Sequence, residues 1–266
     1  MRGSSGDSLA QLTASLRSAV ADGADAAGLA GELFAIAATL RHEPALRRVA
    51  TDVSLAPDAK QGLAKALFGE RVSPAALDLL SQGVACRWTA TRDLPDAFEL
   101  LGEIGVVLGA DDTDRLADEL FEVQQLIAGH PDLRDALSNP LRTAADKESL
   151  LRQLLEGKVS SATLTLTLQG LVGSHHTVGA ALDHYQDVVA EVGSEAVATV
   201  RVAASLTESE RDRLAAVLAR DAGRPVHLNE IVDPSVIGGM RIEIGDQVID
   251  GTIATRLDDA RRRLAS

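Results

Sequence analysis

The sequence predicts a mainly α-helical protein: two tandem homologous helical bundles, followed by a small α/β module of order β-α-β-β-α. Three observations carry this. The chain is 45% hydrophobic but only 2% aromatic, with alanine and leucine dominant, and both residues lose little side-chain entropy in a helix. It matches itself without a gap when shifted by 87 residues. From about Glu195 its apolar periodicity changes from that of helices to that of strands.

At 266 residues the chain can build two modest domains, each with its own core. Acidic residues outnumber basic ones by 39 to 26, a net charge of -13. Binding to a phosphate backbone works by cations displacing counterions, so nucleic acid is not expected as a partner. The cluster Arg261, Arg262 and Arg263 reads as favourable charge at a helix C-terminus. The single cysteine, Cys86, excludes an intrachain disulfide and lies in the apolar stretch Gly83-Val-Ala-Cys86, where it reads as a packing residue. The opening Met1-Arg-Gly-Ser-Ser-Gly6 has no apolar region of the secretory kind. No run approaches the roughly 18 apolar residues that a membrane span requires. A soluble, cytoplasmic protein is therefore expected.

The repeat sets Leu29–Ala85 over Leu116–Val172, with 18 identities in 57 positions, where two such Ala/Leu-rich stretches would share roughly six by chance. The pairs Phe34/Phe121, Pro44/Pro131, Lys60/Lys147 and Gly83/Gly170 are not residues that compositional bias supplies. Leu29, Leu33, Ile36 and Leu40 form one apolar helical stripe, and Leu116, Leu120, Val123 and Ile127 repeat it. Pro44 and Pro131 then break the pattern, and Ser73-Pro74 supplies an N-cap followed by proline at the first helical position. Thr163-Leu-Thr-Leu-Thr-Leu168 alternates with period two, as a strand would. Its partner Ala76–Ser81 does not, and Leu164, Leu168 and Leu171 sit at i, i+4 and i+7, so a helix is predicted. The register also sets Phe98 over Tyr185 and the opening Ser8–Val20 loosely against residues 95–107. The helix around Asp96–Val107 would then close the first bundle and open the second. The expected domains are 1–95, 96–193 and 194–266.

In the C-terminal part, Ala198, Val200 and Val202 alternate with Thr199 and Arg201 as in a half-buried strand. Thr207 and Glu210 form a capping box for a helix expected to bury Leu214, Val217 and Leu218. Arg224–Val232 reads as a second strand. Met240, Ile242 and Ile244 alternate in a third, and Gly245-Asp246 turns the chain into Gln247–Ile249. Ile253, Leu257, Ala260 and Leu264 mark a last helix.

Within this module stand Asp233-Pro234, the paired Gly238-Gly239, Gly245-Asp246 and Asp250-Gly251 ahead of the last helix. This pattern resembles the signature of the δ subunit of F-type ATP synthases, equivalent to the mitochondrial oligomycin-sensitivity-conferring protein. Thr252 stands where that family usually has serine, and a hydroxyl is kept. Upstream, Leu137-Ser-Asn-Pro140, Lys147 and Leu150-Leu151 resemble the family's pattern in its N-terminal bundle. The first copy keeps only Lys60 of it. Residues of about 93–266 therefore correspond to an ordinary δ subunit, and the first copy is an additional bundle.

The residues themselves ask for no catalysis. No G-x-x-x-x-G-K-[ST] phosphate loop and no G-x-S-x-G elbow occurs. Asp233, Asp246 and Asp250 read as turn formers. His175, His176 and His184 lack a cysteine or HExxH partner pattern and read as a polar loop entering a helix rather than zinc ligands. No catalytic, cofactor or metal residue is expected.

The resemblance implies a peripheral-stalk (stator) subunit of a proton-translocating ATP synthase. In that family the bundle grips N-terminal tails of the head's α subunits, with β a further candidate contact, and the C-terminal module holds the b subunits. It implies a protein peripheral to the cytoplasmic face of the bacterial cell membrane, with no small-molecule substrate. A partner-helix groove between the first and fifth helices of the second bundle would use Phe98, Leu101, Leu164, Leu168 and Leu171. The additional bundle would either extend the contact with b or bind a second α tail. Two rival readings are a helical scaffold unrelated to ATP synthase and a small metal-dependent enzyme using the histidines.

Overall fold

The computed structural model describes residues 1–193, 196–223, 226–234, 236, 238–244 and 247–250. The helical part runs α1 (Ser4–Ala21), α2 (Ala26–His42), α3 (Pro44–Thr51), α4 (Pro57–Phe68), α5 (Pro74–Ala85), α6 (Asp93–Leu108), α7 (Thr113–Gly129), α8 (Pro131–Ser138), α9 (Ala144–Leu155), α10 (Ser161–Gln169) and α11 (Val178–Gly193). The sequence repeat reappears as geometry. Helices α2, α3, α4 and α5 begin at 26, 44, 57 and 74, and α7, α8, α9 and α10 begin 87 residues later, at 113, 131, 144 and 161.

The start signals explain these boundaries. Pro44, Pro57, Pro74 and Pro131 occupy first helical positions, where the missing N–H has no intrahelical partner to lose. Ser73 caps α5 by accepting the Ala76 N–H at 3.3 Å. One device occurs in both copies. Glu32 of α2 accepts from the Ser73 N–H (2.9 Å) and hydroxyl (2.6 Å), at the start of α5. Glu119 of α7, 87 residues on, accepts from the Ser160 N–H (2.7 Å) and the Thr163 hydroxyl (2.6 Å), at the start of α10. In each copy a carboxylate thus satisfies donors that a helix start leaves open.

Both apolar stripes are buried: Leu29, Leu33, Ile36 and Leu40 in α2, and Leu116, Leu120, Val123 and Ile127 in α7. They join one continuous core that runs from Leu12 to Val189. Helix α6 is the reason for that continuity, because it packs on α1, α2 and α3 and also on α10 and α11. Its approach to α2 is close. A Cβ added at Gly102 would stand 2.6 Å from the Phe34 ring. The two bundles share this helix, and the expected divide at 95/96 falls inside it.

Residues Thr163–Leu168 are helical, within α10. Thr163, Leu166 and Thr167 form the buried face, and the Thr165 and Thr167 hydroxyls donate to carbonyls four residues back. The alternation was a coincidence of composition, since hydroxyls bonded in this way fit a helix.

The C-terminal sheet holds β1 (Ala196–Val202), β2 (Val226–Val232), β3 (Met240–Ile244) and β4 (Gln247–Asp250) in the order β2-β1-β3-β4. β1 and β2 are parallel, joined by helix α12 (Glu208–Ala222), and the β1–β3 and β3–β4 pairs are antiparallel. Ala198, Val200, Val202, Leu218, Leu228 and Ile242 make a second, smaller core. The Thr207/Glu210 capping box is present. Leu218 is buried and Leu214 packs against this core, but Val217 is 49% exposed. It lies off the inner face that Leu214, Ala215 and Leu218 define, which corrects the expected burial. Ile244 opposes Gln247, leaving two residues for the β3–β4 connection. Gly245, Asp246 and Gly251, and the last helix expected over 253–264, lie outside the described residues.

Candidate interaction site

The five residues assigned to a partner-helix groove divide into two groups. Leu164, Leu168 and Leu171 are half-buried and pack on the margin of the helical core. Phe98 and Leu101 are fully buried, at 0% exposure. Phe98 faces the first bundle: a Cβ added at Gly83 of α5 would stand 2.7 Å from its ring. As open groove residues these two are corrected, because the additional bundle covers the face of α6 that an isolated second bundle would expose. In the first copy, a cleft of about 440 Å³ lies among α1, α4 and α5, lined by residues that include Gln11, Gln61, Gln82, Ala85 and Cys86.

The other face of α6 carries a buried polar seam. Glu99 and Glu103, one helical turn apart, are each only 1% exposed. Arg41 of α2 donates to Asp96 (3.1 Å) and Glu99 (2.6 Å). Glu99 also accepts from the Ser174 N–H (2.9 Å) and the Gln169 amide (3.2 Å). Burial alone would raise the Glu99 carboxyl, but the Ser174 hydrogen bonds, the Arg41 charge and Gln169 together hold it below its ordinary range. A charge from the first copy and a loop of the second thus meet on one carboxylate.

One turn further, Glu103 Oε2 lies 2.9 Å from His184 Nε2 of α11. Burial pushes the Glu103 carboxyl up against the opposing pull of His184. The His184 imidazole is raised chiefly by that same hydrogen bond, against burial. The His175 ring lies tilted by 37° beside that of His184, centroids 4.8 Å apart, and burial together with the His184 charge lowers the His175 pKa. Tyr185 is fully buried beside them, and its hydroxyl has no hydrogen-bond partner among the described residues. Burial, then Glu103 and Glu99, push this phenol far upward. The polar-loop reading had placed His175, His176 and His184 in sequence but missed Glu103, which joins two of them. The available signal was the pair of glutamates four apart inside the apolar run Phe98–Leu108.

The C-terminal module meets this bundle through β1 and β2, which pack on α11 and α7. The buried Asn229 amide donates to Gln186 at 2.9 Å, and Arg211 lies 3.6 Å from Asp118. In the signature segment, the Asp233 N–H donates to the Val202 carbonyl (2.8 Å) and the Val236 N–H to the Asp233 carbonyl (3.0 Å), closing the turn that contains Pro234. Gly238 and Gly239 both carry positive φ, 154° and 80°, as the chain enters β3.

The sequence of residues 105–264 matches the family described as ATP synthase delta (OSCP) subunit. An ATP synthase subunit delta of Nocardioides sp. is 52% identical over 241 residues, covering 90% of this chain and 88% of its own. The chain belongs to the ATP synthase delta (OSCP) subunit family. Delta subunits of Cutibacterium acnes (41% identical over 238 residues; 88% of this chain, 90% of that one) and Thermobifida fusca (40% over 246; 91% of each) are also similar. Alignments of that length take in the first bundle, so these family members share it. A chain in the mitochondrial ATP synthase hexamer of Toxoplasma gondii aligns with a TM-score of 0.37 at 18% identity, covering 63% of this chain and 95% of its own. Among the described residues, no helix is long and apolar enough to cross a membrane.

Proposed function

We propose that this chain is the peripheral-stalk (stator) subunit that joins the catalytic head of the synthase to its b subunits, and that it catalyses nothing itself. The observation that carries this is the family match, which runs through both the second bundle and the C-terminal module. Those are the two parts that face opposite partners in the family. Rotary catalysis requires the head to be held against the torque of the shaft, and one core running through both bundles suits a joint of that kind. The half-buried stripe Leu164, Leu168 and Leu171 receives the amphipathic N-terminal helix of an α subunit. The module whose sequence carries the signature residues Asp233, Pro234, Gly238, Gly239, Gly245, Asp246, Asp250 and Gly251 holds the b subunits. The cleft among α1, α4 and α5 takes a second α tail, since it lies between the first and fifth helices of its own copy. The protein sits at the cytoplasmic face of the cell membrane through the complex. Membranes depleted of this chain test the proposal: adding it back restores ATP-driven proton pumping. Pumping that stays uncoupled although the chain has rebound refutes it.

A further inference from the structure

We propose that Glu103, His175 and His184 form a binding site for one divalent transition-metal cation of the zinc class. These residues come from three segments: α6, the α10–α11 loop and α11. One ligand atom from each lies within 4.8 Å of the others. Two imidazole nitrogens and one carboxylate oxygen are a donor set that suits zinc, with a fourth position left for water. Zinc–nitrogen bonds of roughly 2.0–2.1 Å place tetrahedral ligands about 3.3 Å apart. The Glu103–His184 separation of 2.9 Å already meets that spacing within a few tenths of an ångström. The remaining adjustment falls to His175, whose half-buried ring sits on a connecting loop rather than on a helix.

Two further features point to a cation. The His175 and His184 rings are tilted by 37° with centroids 4.8 Å apart, close enough that two protonated rings would repel, whereas two neutral imidazoles can share a metal. Tyr185, whose ring centroid lies 6.0 Å from that of His175 and 6.1 Å from that of His184, carries a fully buried hydroxyl without a partner among the described residues. Buried polar groups are rarely left so, and a metal-bound water gives this one a partner. Glu99, held by Arg41, Gln169 and Ser174, keeps its carboxylate out of the coordination set. A metal here fastens the shared helix α6 to the end of the second bundle.

The test is zinc titration of the full-length, tag-free, chelator-treated protein by calorimetry, with cobalt(II) as a spectroscopic probe. One equivalent should bind per chain, and cobalt should show the visible absorption of tetrahedral coordination. Zinc at about 100-fold excess over its Kd should raise the thermal midpoint by roughly 5–10 °C. His175→Ala, a loop substitution, should weaken binding by at least about 100-fold, while His176→Ala next to it leaves binding intact. Glu103→Gln should abolish the cobalt spectrum. Absence of saturable one-to-one binding overturns the proposal, as does equal binding by His175→Ala, or an equal loss in His176→Ala.

Discussion

Glu119 gives the sharpest energetic prediction. Its Oε2 accepts from the Ser160 N–H and the Thr163 hydroxyl, and its Oε1 from Arg115 Nε at 2.7 Å. Burial raises its pKa, but these hydrogen bonds outweigh burial and hold it down to about 2, from 4.5. The Arg115 side chain is 61% exposed, so solvent screening discounts its share of this effect and the free energies below are upper values. A depressed carboxyl contributes stability above its unfolded pKa and loses it as pH falls toward its folded one. At about 1.4 kcal/mol per unit, the shift is worth about 3 kcal/mol near pH 7 and about 1.5 kcal/mol near pH 3. Glu119→Gln keeps the shape and removes the charge. Urea unfolding of wild type and variant, followed by helical circular dichroism, should therefore show a difference of about 2–3 kcal/mol at pH 7 that shrinks by about half by pH 3. A difference that stays constant over this range would refute the reasoning, because it would mean the charged form is not specifically held.

Three more expectations rest on packing and pairing. Phe98→Ala empties a fully buried site between the bundles and should cost about 3–5 kcal/mol in the same urea assay. Asn229→Ala removes the amide that donates to Gln186. It should loosen the C-terminal module, with the cost of a buried hydrogen bond (about 1–3 kcal/mol) seen as faster proteolysis between α11 and β1. Leu168→Glu charges the half-buried α10 stripe. It should weaken capture of the catalytic head at least tenfold while leaving the circular-dichroism spectrum unchanged.

The fold was legible wherever local pattern and tertiary packing agree. Pro44 and Pro131 sit at equivalent helix starts because proline suits the first turn of a helix and not its interior, so the 87-residue repeat could be read directly as helix boundaries. Thr207 and Glu210 carry their capping chemistry within four residues, and that too was plain. Thr163–Leu168 alternates with period two and is nonetheless the helix predicted there, because threonine satisfies its hydroxyl within a helix, which apolar counting does not register. The candidate site was harder to read, because its parts are distant in sequence. His184 and Glu103 are 81 residues apart, Arg41 and Glu99 are 58, and no spacing rule connects them. Phe98 and Leu101 were assigned to a groove by analogy with a single bundle. The duplication that covers them was itself visible, but which face of α6 it covers depends on how the copies pack.

The most direct test of the stator account is assembly of a ternary complex from the purified full-length chain, the isolated catalytic head and the soluble part of the b subunits, followed by sedimentation velocity. The account predicts that head and b co-sediment only when this chain is present, with each binary pair also forming. Head and b associating equally well without the chain, or the chain binding one partner and never both, would contradict it.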